Sequence, residues 1–160
     1  MKTIFAVIAL SASFCCNAGR PVFHELSLAD LVGAADVVAI VSKAQPFVET
    51  VQDQLGCDRV QWHLTVERTL KKQRQGYPEP KSTMNVLSNV TGVRDCTFRD
   101  GRQTSGASFS ASVYKPLDPA ATTNQQFIVF LVVRNGVLEL LTDTAFESIN
   151  RKPEVESLLR

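Results

Sequence analysis

The chain has two histidines, His24 and His63, and four cysteines, Cys15, Cys16, Cys57 and Cys96. No Cys/His cluster has the spacing of zinc ligands, so composition assigns no metal. There is no glycine-rich phosphate loop and no G-x-S-x-G nucleophile elbow. No C-x-x-C pair is present to tune a reactive thiol. No spaced carboxylate pair stands out for glycosidase chemistry. A Ser-His-Asp site assembled only in space would leave no such trace, but nothing in the chain nominates a catalytic residue or a cofactor. Charge of one sign is also missing: 17 Lys+Arg stand against 16 Asp+Glu. A nearly neutral chain has no electrostatic footprint for nucleic acid or an anionic membrane. Low hydrophobicity is absent too, which argues against a disordered chain.

What is present begins at the N-terminus. Met1-Lys2 is a short basic start, and Thr3 to Phe14 is almost continuously apolar. Cys16-Asn17-Ala18 then places small residues where a signal peptidase reads. The apolar run is shorter than the roughly 17–25 residues that span a bilayer. The expectation is a signal peptide over residues 1–18 and a secreted or periplasmic protein with no stable membrane span. A lipidated Cys15 or Cys16 is the competing reading, and Phe14 before Cys15 argues against it. Of the 160 residues, cleavage after Ala18 leaves 142, a single domain large enough for a proper core. Lys2 leaves with the signal, so 16 cationic residues balance 16 anionic ones.

Cleavage also removes Cys15 and Cys16. Cys57 and Cys96 remain, one pair in an oxidising compartment, and a Cys57–Cys96 disulfide is expected. Closing a loop of that length would stabilise by roughly 3–4 kcal/mol in the chain-entropy model.

Ser27 reads as a helix N-cap with Asp30 as its acidic partner, and Leu28, Leu31, Val32 and Ala35 recur at helical spacing. The helix must end near Asp36. Val37 to Val41 is apolar at every position and β-branched at all but Ala39, a strand buried on both faces. Pro46 interrupts it, and Phe47 to Val51 continues it after a bulge. In the next strand Val60, Trp62, Leu64 and Val66 point one way and Gln61, His63, Thr65 and Glu67 the other. Trp62 reads as core rather than as a ligand-stacking platform. Thr83 to Leu87 is a short strand, and Gly92 to Ser112 holds turn signals and short β pieces. Lys115 to Gln125 reads as a loop. Phe127 to Val133 is a second strand buried on both faces. Asn135-Gly136 joins it to Val137 to Leu141 as a hairpin, because both turn residues tolerate positive φ. Pro153 opens a final helical turn or two, Glu154 to Leu159.

Short strands at turn-marked intervals with a helix at each end predict a mainly β fold, a barrel or sandwich. Ala35-Asp36 followed by the apolar strand Val37 to Val41 resembles the opening of netrin-like domains. Trp62-His63-Leu64-Thr65-Val66-Glu67-Arg68-Thr69-Leu70-Lys71-Lys72 resembles their next strand. Phe127 to Leu131 with the Asn135-Gly136 hairpin resembles their late hairpin. The resemblance spans most of the mature chain and implies a five-stranded OB-like barrel with short flanking helices, residues 19–160. Tissue inhibitors of metalloproteinases contain such a domain. Their inhibitory domains begin with a zinc-binding cysteine, whereas the expected start here is Gly19-Arg20-Pro21. No inhibitory residue carries over. The competing architecture is a cystatin-like helix on a curved antiparallel sheet, disfavoured because the first helix is short and contains Gly33.

The functional expectation is a non-enzymatic binding or inhibitor-like module that presents loops to an extracytoplasmic protein or surface polymer. Lys71, Lys72, Arg74 and Lys81, around Pro78 and Pro80, form the candidate contact stretch. Its competing reading is a solvated connection. The competing function is an extracytoplasmic hydrolase or small-ligand carrier with an unrecognised pocket. Asn89-Val90-Thr91 is a glycosylation acceptor pattern in a eukaryotic secretory pathway.

Overall fold

A computed structural model describes residues 22–52, 58–72, 79–88, 96–97, 103–104, 110–114, 117, 123, 125–142 and 144–160. The expected signal peptide, Cys57, Arg74 and the Asn89-Val90-Thr91 pattern lie outside these residues; of Cys96 only the backbone is described. The elements in order are β1 (Val22–Glu25), α1 (Leu28–Ala34), β2 (Val37–Gln52), β3 (Asp58–Lys72), β4 (Thr83–Leu87), β5 (Cys96–Thr97) and β6 (Gln103–Thr104). There follow β7 (Ser110–Val113), β8 (Gln126–Arg134), β9 (Val137–Leu140), β10 (Phe146–Ser148), a 3₁₀ turn (Ile149–Arg151) and α2 (Lys152–Leu158).

The fold is mainly β. A six-stranded mixed sheet runs β10-β8-β2-β3-β4-β9, and β9 pairs with β8 as well as with β4. All its pairings are antiparallel except β4 with β9, which is parallel through the single pair Leu87 and Glu139. Small two-stranded pairings join β1 to β7 and β5 to β6.

Helix α1 starts where the sequence puts it. Ser27 Oγ accepts from the Asp30 amide at 3.2 Å, and Asp30 Oδ2 accepts from the Ser27 amide at 2.9 Å, closing a capping box. The Ser27 hydroxyl, which donates to Asp30 Oδ2 at 2.6 Å, and then the Ser27 amide hold the Asp30 carboxyl below its ordinary range. The helix stops because Asp36 turns the chain into the sheet: its amide donates to Leu131 O at 2.8 Å and its Oδ2 accepts from the Val133 amide at 2.8 Å.

Val37 to Val41 and Phe127 to Leu131 are buried at every position, as continuous apolar strands require when both faces are covered. They pair with each other through Val37–Leu131, Val38–Phe130, Ala39–Val129, Ile40–Ile128 and Val41–Phe127. Leu28, Leu31 and Val32 of α1 and Val155 of α2 join Leu64, Val66, Met84, Val86, Leu140 and Phe146 in the same core. Both helices therefore pack their apolar sides on the sheet, as the sequence anticipates. Each has seven residues, about 10 Å of helix at 1.5 Å per residue. That is too short to fill the groove of a curved cystatin-like sheet, and the parallel β4–β9 contact also departs from an all-antiparallel one.

The Asn135-Gly136 turn has φ of 51° and 78° at its two residues, the left-handed pair a two-residue hairpin needs. Strand β2 runs on past Pro46, with a register shift between Lys43 and Val48. One expectation is corrected in degree. The apolar row of β3 is graded: Leu64 and Val66 are fully buried, Trp62 is half-buried, and Val60 is 36% exposed. From Val48 on, β2 pairs with β3 alone, while β3 keeps β4 beside Gln61 and Trp62 and the Ser88 amide on Val60 O, so alternation continues on the β2 side without a core to cover it.

Candidate functional site

The basic stretch foreseen as a contact loop divides. Lys71 is half-buried, and its Nζ donates to Val32 O at 2.7 Å and Gly33 O at 3.0 Å. These are terminal carbonyls of α1, where an ammonium group satisfies unpaired acceptors and complements the helix dipole. Lys71 is thus engaged within the fold. Lys72 Nζ lies 3.5 Å from Glu79 Oε1 in a solvent-exposed pair. Lys81 is exposed, with φ of 70° in the turn leading into β4. Arg74 lies outside the described residues. The four cations are therefore not brought together as one surface by any described contact.

A second group lies across the middle of the sheet. Register pairs Glu49 with Gln61 and His63 with Asn85, so β2, β3 and β4 present these side chains side by side. His63 Nδ1 is 2.9 Å from Asn85 Oδ1, and Gln61 Nε2 donates to Glu49 Oε1 at 2.9 Å. His63 Nε2 approaches the same Glu49 oxygen to 2.9 Å but off the hydrogen-bonding direction. Nothing in the sequence linked Glu49 or Asn85 to His63, because alternation assigns faces while only register assigns neighbours. A carboxylate beside an imidazole could orient a general base, yet no hydroxyl or thiol is hydrogen-bonded to His63 among the described residues.

The third group is the outer β2–β3 ribbon. From Val48 to Gln52, β2 pairs only with Asp58 to Trp62 of β3. Val48 lies directly opposite Trp62 and is 42% exposed; Val60, opposite Thr50 and two residues from Trp62, is 36% exposed. Where the ribbon enters the core, the Trp62 ring meets Phe47 at 5.3 Å and Phe146 at 5.2 Å, both edge to face. Phe146 in turn meets Phe127 at 6.2 Å. The Lys43 ammonium sits over the Phe47 and Phe127 rings, 5.1 and 5.5 Å from their centroids. The aromatic chain anchors the ribbon, since each such pair is worth about 0.5–1.5 kcal/mol beyond area burial. An exposed apolar strip thus stands on a rigid base.

Two charged networks serve the fold. Arg59 on β3 donates to Glu139 Oε1 at 2.9 Å and to the Ser88 carbonyl. Arg151 donates to Glu147 Oε2 at 2.8 Å and grips Glu154 with two bonds of 2.9 and 2.7 Å. Arg151 also holds Glu154 below the ordinary carboxylate range. The Tyr114 hydroxyl donates to Glu147 Oε2 and accepts from Arg151 Nη1 at 3.1 Å. Burial first, and then the bond to Glu147, push the Tyr114 phenol up to about 12. Among the described residues, no three His, Cys, Asp or Glu side chains converge as metal ligands. No helix among them is long and apolar enough to cross a membrane.

No protein-family model matches the chain, and no curated protein matches it either.

Proposed function

We propose that this chain is an extracytoplasmic, non-enzymatic binding module on an OB-like, netrin-like barrel, and that it engages a protein or surface polymer with the outer β2–β3 ribbon. The circuit of pairings β2–β3–β4–β9–β8–β2, with its one parallel contact, supports the five-stranded barrel reading. The observation that carries the functional reading is the ribbon itself. It holds Val48 and Val60 in solvent, 42% and 36% exposed, beside a Trp62 that the core fixes in place. Aromatic and apolar groups on a rigid base form the centre of many interfaces, because little ordering entropy remains to be lost on binding. The ribbon replaces the basic stretch as the favoured contact, since Lys71 is committed to α1.

The test is capture from the native extracytoplasmic fraction with the mature chain as bait. Val48→Ser with Val60→Ser is expected to leave thermal stability within about half a kcal/mol, as surface substitutions do. The same pair of changes is expected to abolish capture. Lys72→Ser with Lys81→Ser is expected to leave capture intact. The opposite pattern would return the contact to the basic stretch. The second reading, an extracytoplasmic hydrolase or small-ligand carrier, draws on the Glu49–His63 approach. Turnover of a small substrate that disappears in His63→Ala would establish it instead.

A further inference from the structure

Strand β9 meets β4 through one residue pair, Leu87 with Glu139, but meets β8 through four pairs. Strands β2 and β8 share six. One pair supplies too few backbone hydrogen bonds to keep two strands from fraying. Side chains make up the difference. Arg59 reaches from β3 to both sides of this seam: Nη2 donates to the Ser88 carbonyl, one residue past β4, and Nη1 donates to Glu139 Oε1 on β9 at 2.9 Å. Arg134 Nε lies 3.5 Å from the other oxygen, Glu139 Oε2. Arg59 and Glu139 are 7% and 5% exposed. In so dry a setting, losing one partner leaves the other as an uncompensated buried charge. The contact is therefore close to all-or-none.

We propose that Arg59–Glu139 is an ionic latch on the β4–β9 seam, and that the seam opens as a local unit ahead of global unfolding when the latch is released. The β2–β8 ladder and the inner β2–β3 pairs do not depend on it, because neither ion stands in the part of the sheet formed by Val37–Val41 and Phe127–Leu131; Arg59 pairs with Val51 only at the outer end of the β2–β3 ladder.

Native-state hydrogen exchange on the full chain tests this. The Ser88 amide donates to Val60 O of β3 at 2.7 Å, in the same residue whose carbonyl Arg59 holds, and reports release of the β4 end at the seam; the Phe130 amide, bonded to Ala145 O at 3.1 Å, reports the core. In the unaltered protein, Ser88 is expected to exchange at least tenfold faster than Phe130, through an opening with little denaturant dependence. Glu139→Gln is expected to accelerate Ser88 at least a further tenfold and leave Phe130 unchanged. Equal acceleration of both amides would make the pair an ordinary contributor to global stability and overturn the latch. So would an unchanged Ser88 rate. If Glu139→Gln does not fold, the unaltered protein decides alone: equal denaturant dependence for the two amides would sink the proposal.

Discussion

Single residues in this protein hold segments that are distant in sequence. Lys71 sits in β3 but completes α1, through bonds to Val32 O and Gly33 O. Lys71→Met keeps the apolar stem and removes the donor, so it is expected to lower stability by about 1 kcal/mol. Chemical denaturation against the unaltered chain measures it; a neutral result would mean that solvent satisfies those carbonyls equally well. Tyr114 ties the end of β7 to β10 and the start of α2 through Glu147 and Arg151. Its phenol ionises near 12 in the folded protein and near 10 in an unfolded chain. Between those values the unfolded state has released a proton that the folded state keeps. Stability from this group is complete below pH 10 and declines as pH rises toward 12. The expected outcome is a less steep alkaline loss of stability in Tyr114→Phe than in the unaltered chain, read from denaturation midpoints between pH 9 and 11.

At the scale of elements, local chemistry and tertiary contacts agree at some boundaries and part company at others. The capping box at Ser27 and Asp30 was legible because it is made within four consecutive residues. Ser27→Ala is expected to cost about 1 kcal/mol, checked by thermal or urea unfolding. The Asn135-Gly136 turn was legible for the same reason. Strand β3 was harder. Its period of two correctly placed Leu64 and Val66 inside, but periodicity does not say where a core ends. Trp62 and Val60 have the same phase as Leu64, yet they lie where β2 has no second neighbour, and so they grade from half-buried to exposed. The two-residue strands β5 and β6 and the three-residue β10 are too short to show a period, and they are recruited by neighbours rather than by their own pattern.

Across the whole molecule, the buried strands β2 and β8 with their two short helices form a continuous core, and the ribbon projects from it. The proposed Cys57–Cys96 disulfide would tie the segment before β3 to β5. It is checked by labelling free thiols in the denatured, unreduced mature chain: no reactive thiol is the expected result, and two per chain would remove the crosslink. If it forms, reduction should cost roughly 3–4 kcal/mol. By itself the sequence determined the mainly β class, the two-faced burial of Val37–Val41 and Phe127–Leu131, the α1 cap and the late hairpin. Each of these depends on residues close together in the chain. Only the tertiary structure decided that β9 bridges β8 and β4, that Arg59 reaches Glu139, and that Glu49, His63 and Asn85 share one surface. It also turned Lys71 from a loop cation into a helix cap. The physical reason is register: a period of two chooses the face of a strand, whereas neighbours across strands follow from which ladders pair and where bulges shift them.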